Sequence, residues 1–89
     1  MFYKEQAKQL GYTEKDIDLP ENDLFHWKDI WSNGEHIIIM GYNGYLSTGT
    51  FTCTIIKDGD IYYQCGGSVL QMEEKCKVAE DMLLQAMKA

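Results

Sequence analysis

The residues best able to do chemistry are three cysteines, Cys53, Cys65 and Cys76, and two histidines, His26 and His36. Thiolate and imidazole together could bind zinc or build a nucleophile–base pair. The cysteine spacings of 12 and 11 residues match no structural zinc pattern. A nucleophilic triad needs a thiol or hydroxyl, a histidine and a carboxylate in mutual reach, and no spacing here brings either histidine to a thiol. The expectation is three free cysteines acting as small core hydrophobes, with no metal, no cofactor and no catalysis.

A second stretch imitates a phosphate cradle. Gly44 and Gly49 in GYNGYLSTGT have the separation of the two P-loop glycines. Thr50-Phe51 stands where Lys-Ser/Thr should be, and a strand rather than a helix follows, so the cradle is not made. The same run is rich in Tyr, Gly, Ser, Thr and Asn, a composition suited to contact surfaces. Tyr42, Asn43 and Tyr45, read as a hairpin tip around Asn43-Gly44, are candidate partner contacts. A further set, Trp27, Trp31 and Tyr62, could stack an aromatic, nucleotide-like ligand.

Charge narrows the partners. The 89 residues carry a net charge of −6, and all eight basic residues are lysines. Arginine is the main reader of phosphate and guanine edges, so direct nucleic-acid binding is not expected and a basic protein partner is. Asp16, Asp18, Glu21 and Asp23 crowd one short window, and Asp29 follows on the next element. The longest strictly apolar run is Ile37–Met40, far short of the ~20 residues of a membrane span. MFYKEQAKQL has no apolar signal-like core, and a cytoplasmic protein is expected.

The elements that must position these residues form one small α+β domain. FYKEQAKQL reads as a helix with Tyr3, Ala7 and Leu10 on one face and Gly11 at its end. Thr13 with Asp16 reads as a capping pair. Residues 21–32 gather Leu24, Trp27, Ile30 and Trp31 on a helical arc, and a helix is expected; read as a strand, the same residues add a fourth strand to the sheet. Residues 35–42 form a strand, Asn43-Gly44 turns it, and the next strand runs from Tyr45 to Ile56 with a bend at Gly49. Parity then decides the second hairpin. A three-residue loop Lys57-Asp58-Gly59 places Phe51, Cys53, Ile55, Ile61, Tyr63 and Cys65 on one face, the expected core.

Ser68 with Gln71 opens a helix to about Lys88, with Met72, Cys76, Ala79, Leu83 and Ala86 as its stripe. Leu70, Met82, Leu84 and Met87 widen the stripe enough for a homo-oligomer through this helix. The expected architecture is a three-stranded antiparallel meander packed on a long C-terminal helix, with N-terminal helices before it. Its helix–strands–helix outline is similar to the double-stranded-RNA-binding fold. That fold's lysine cluster is here QMEEKCK, with Glu73 and Glu74 offsetting Lys75 and Lys77.

In size, acidity, lack of arginine and layout, the chain resembles the class of small phage-encoded anti-defence inhibitors, anti-CRISPR proteins among them. The resemblance covers the whole chain and rests on no motif. It implies a non-enzymatic inhibitor or adaptor in a bacterial host's cytoplasm. Its partner would be a host protein, such as a basic nucleic-acid-binding complex, blocked by occlusion or by nucleic-acid mimicry. Asp16, Asp18, Glu21, Asp23 and Asp29, with Asp58 and Asp60 at the second hairpin tip, would be the contact carboxylates. The alternatives are an oligomeric small-ligand sponge and a metal-stabilised module.

Overall fold

The computed structural model describes residues 2–15, 25–45 and 49–88, apart from the side chains of Phe2, of residues 25–28 and of Tyr45. In chain order these form helix α1 (Phe2–Gln9), strands β1 (Thr13–Glu14), β2 (Phe25–Ser32), β3 (Ile37–Tyr45), β4 (Thr50–Lys57) and β5 (Asp60–Ser68), a 3-10 turn (Val69–Gln71) and helix α2 (Met72–Lys88). The strands make one antiparallel sheet in the order β1-β2-β3-β4-β5. The α+β class with a long C-terminal helix is as expected, but the sheet has five strands rather than three or four.

Both helices pack on the same face of the sheet. Trp31, Ile38, Met40, Phe51, Cys53 and Ile55 are buried there against Tyr3 and Ala7 of α1 and Ala79, Leu83, Ala86 and Met87 of α2. The first turn of the predicted stripe is less covered, because Met72 is 42% exposed. The helix α2 is fixed at both ends. Gln71 Oε1 accepts the Ser68 N–H at 3.4 Å before its first turn. At its C-terminus the carbonyl of Met87 takes the Tyr12 hydroxyl at 3.0 Å, and that of Ala86 takes Lys57 Nζ at 2.7 Å. A cation at this end also suits the helix dipole.

The helix expected over 21–32 is instead β2 over residues 25–32, the rest lying outside the described residues. Seven of its residues pair with β3. Trp31 faces the helices, whereas Ile30 is buried on the opposite face and lies outside the main core cluster. A strand with apolar residues on both faces lacks clean alternation, so its apolar spacing also fits a helical arc. The N-terminal region accordingly holds one helix among the described residues. Thr13, read as a cap, instead pairs with Ser32 in β1, and Leu10 is 37% exposed.

Asn43-Gly44 is not a turn either. Both residues lie inside β3, opposite Thr52 and Phe51, and β4 starts only at Thr50. Gly49 precedes it with φ +66°. Continuing the β3–β4 ladder outweighs the local turn preference.

The second hairpin closes through two residues, Asp58 (φ 52°) and Gly59 (φ 88°), between paired Lys57 and Asp60. The parity is restored by a β-bulge at Tyr62, since Ile56 pairs with Ile61 but Ile55 with Tyr63. Phe51, Cys53, Ile55, Tyr63 and Cys65 therefore do share the helix-facing side. Ile61 does not; it turns outward and is 64% exposed. An extra residue was needed to keep the apolar face together, and it sits in the edge strand rather than in the loop.

Candidate functional site

The side of the sheet away from the helices carries the candidate surface. Ile30 pairs with Ile39, Ile39 with Ile56, and Ile56 with Ile61, so four isoleucines stand side by side across β2, β3, β4 and β5. Ile30 is buried, Ile39 and Ile56 are half-buried, and Ile61 is open to solvent, with Ile37 exposed beside the row. The described side chains beside the row on this face include Thr52, Thr54 and Gln64, whose Nε2 donates to Thr54 Oγ1 at 3.1 Å.

One residue beyond the row, two turns bring exposed carboxylates to the same end of the sheet. The Asn33–His36 loop is closed by Asn33 Oδ1, which accepts the N–H groups of Glu35 at 3.0 Å and His36 at 2.9 Å. The facing turn joins it through Asp58. Its Oδ1 accepts the Ile37 N–H at 3.1 Å, its Oδ2 lies 2.5 Å from His36 Nδ1, and its own N–H donates to Ile37 O at 3.0 Å. The His36 hydrogen bond, then that from Ile37, hold the Asp58 carboxyl below its ordinary pKa. Glu35 and Asp58 are exposed here, whereas Asp60 pairs with Lys57 and shares its helix-facing side, where Lys57 is turned toward the α2 terminus. The result is an apolar row with an acidic rim.

The predicted contact residues are scattered by comparison. Asp16, Asp18, Glu21 and Asp23 lie outside the described residues. Asp29 is on the helix-facing side, where its Oδ2 accepts the Tyr3 hydroxyl at 2.6 Å and its Oδ1 lies 3.7 Å from Lys4 Nζ. It anchors α1 instead of facing solvent. Burial, then this carboxylate, raise the Tyr3 phenol pKa. Tyr42 and Asn43 sit mid-strand, not at a tip, and Asn43 Oδ1 is a buried acceptor with no hydrogen-bond partner among the described residues. Of Tyr45 only the backbone is described, at the end of β3. The stacking trio is not assembled. Trp31 is 4% exposed and makes an edge-to-face contact with Tyr3 at 5.9 Å, while Tyr62 is the bulged residue of β5; Trp27 contributes only its backbone to the description.

The three thiols do converge. Cys53 lies directly opposite Cys65, and Cys76 of α2 lies near both. Burial, then the neighbouring thiols, push the Cys53 pKa up to about 12. Burial likewise raises Cys76. A thiol held in its neutral form is a poor nucleophile and metal ligand. All three cysteines are free, and among the described residues no three of His, Cys, Asp or Glu are grouped to hold a metal. The His36–Asp58 pair lies at least five residues along the ladder from Cys53, roughly 16 Å at strand rise.

No family model, curated protein or solved structure matches the chain. Among the described residues, no helix is long and apolar enough to cross a membrane.

Proposed function

We propose that this chain is a non-enzymatic binding module, an inhibitor or adaptor that meets a protein partner through the open face of its sheet. The observation that carries the reading is the register-matched run Ile39–Ile56–Ile61 on the side opposite both helices, half-buried to exposed, with exposed Ile37 beside it. Contiguous exposed apolar surface rimmed by polar groups is typical of interaction sites. The rim of Glu35 and Asp58 selects a partner whose own apolar patch is bordered by lysine or arginine.

This chemistry agrees with an anti-defence role in which the module occludes a basic nucleic-acid-binding surface. Occlusion is favoured over mimicry of nucleic acid, because the contact has an apolar centre and its described acidic rim is only two residues long.

The test is capture from a bacterial host extract with wild type and an Ile39→Lys/Ile61→Lys double variant, with native mass measured on each. A specific protein retained by wild type and lost by the folded double variant supports the reading. Equal retention by both refutes it.

A further inference from the structure

The geometry points to a small-molecule site separate from the open face: an apolar pocket under the first turn of α2 that takes a neutral, two-ring aromatic ligand of naphthalene or indole size. The pocket, open to solvent on one side, has a volume of about 330 Å³, and its described lining is Tyr42, Asn43, Gly44, Phe51, Met72 and Cys76. A dry apolar cavity of ~150 Å³ accommodates one benzene ring, so this volume matches two fused rings.

The composition of the walls favours an aromatic guest. Tyr42 and Phe51 supply ring faces and edges, and Met72 and Cys76 supply sulfur, which packs well against ring edges. Among the described residues no carboxylate or ammonium lines it, so a charged ligand would be desolvated without compensation from them.

A second, independent observation is Gly44. It lies inside β3 directly opposite Phe51, where glycine weakens a strand. Nothing in its backbone requires glycine. Its φ is not positive, and among the described residues an added Cβ would meet only Thr50 O, at an ordinary 3.7 Å. Gly66 is different, because a Cβ there would lie 2.8 Å from Phe51 O. What the missing side chain at Gly44 does provide is open volume beside Phe51. A glycine without a conformational reason, in the wall of an apolar pocket, fits close approach of a ligand.

Indole is the probe for the test, titrated against the intact chain while the melting temperature is followed. Wild type is expected to gain about 5–10 °C at roughly tenfold excess over Kd. Indole should also slow N-ethylmaleimide modification of Cys76 several-fold. Gly44→Leu places a side chain in the pocket, so it should fold with an unchanged or higher melting temperature and lose both responses. Met72→Trp, which fills the same space from the partly exposed helix side, tests the claim without altering the strand. No indole response in wild type, or an equal response in wild type and both variants, would overturn the proposal.

Discussion

Truncating Ile55 and Ile61 separately tests the bulge that turns one of them outward. Both are isoleucines of the β4–β5 hairpin, and a loop bulge at Gly59 would have paired them face to face in the core. In the observed register Ile55 is fully buried and Ile61 is 64% exposed. Burying an isoleucine is worth about 1.5–3 kcal/mol, so Ile61, with about a third of its surface covered, should lose roughly 0.5–1 kcal/mol on truncation to alanine. Ile55→Ala adds a cavity to the lost transfer energy and should cost about 2–5 kcal/mol. For a domain with ~5 kcal/mol in total, that is most of its stability. At ~4–8 °C per kcal/mol for a chain of this size, Ile61→Ala should shift the melting temperature by about 2–8 °C and Ile55→Ala by about 8 °C or more, the larger of the two at any one slope. Urea titration with an unchanged m-value would confirm that only the native state is affected. Equal costs at the two positions would refute the bulge at Tyr62.

Other positions give independent outcomes. Gly59→Val should cost about 1–2 kcal/mol or more, because Gly59 holds φ +88° and a β-branched residue resists that region; thermal denaturation reads it. Leu83→Asp puts a carboxylate at a fully buried position of α2 and should abolish the cooperative transition. The lowered Asp58 pKa predicts a stability contribution present above the ordinary carboxylate pKa and lost as pH falls through the lower native value. Melting temperature followed from pH 6 to pH 2 should therefore fall less in Asp58→Asn than in wild type, and parallel curves would rule this out. With its pKa near 12, Cys53 should resist alkylation at pH 8 after the half-buried Cys65 and Cys76 have reacted; mass mapping showing Cys53 labelled first would contradict the packing.

Much of the scaffold was legible in the chain because one period dominated locally. The helix α2 reads at spacings of four and three from Met72 to Ala86, and Ser68–Gln71 marks its start. The alternation of Phe51, Cys53 and Ile55 defined the helix-facing side of β4. β2 was not legible, because Trp31 and Ile30 serve opposite faces and so imitate a helical arc. The bulge in Ile61-Tyr62-Tyr63 was hidden because three large, strand-favouring residues give no sign of which is the extra one. Asn43-Gly44 misled because a strong turn dipeptide can still be carried through a strand when its neighbours pair.

The candidate surface had a signal that local reading passes over. Ile37-Ile38-Ile39 and Ile55-Ile56 are adjacent isoleucines in strands, and neighbours in a strand face opposite ways, so some of them had to leave the core. Only the cross-strand register shows that Ile39 and Ile56 meet each other and continue to Ile30 and Ile61. Asp58 and Asp60 were legible as a hairpin tip. Asp29 was not, because its partners Tyr3 and Lys4 come from a helix distant in sequence.

The open-face reading is tested most directly by isoleucine methyl NMR of the folded chain titrated with its captured partner. The Ile39, Ile56 and Ile61 methyl signals are expected to shift or broaden, while those of Ile38 and Ile55, on the helix-facing side, stay in place. Binding that leaves the Ile39, Ile56 and Ile61 signals untouched would contradict it.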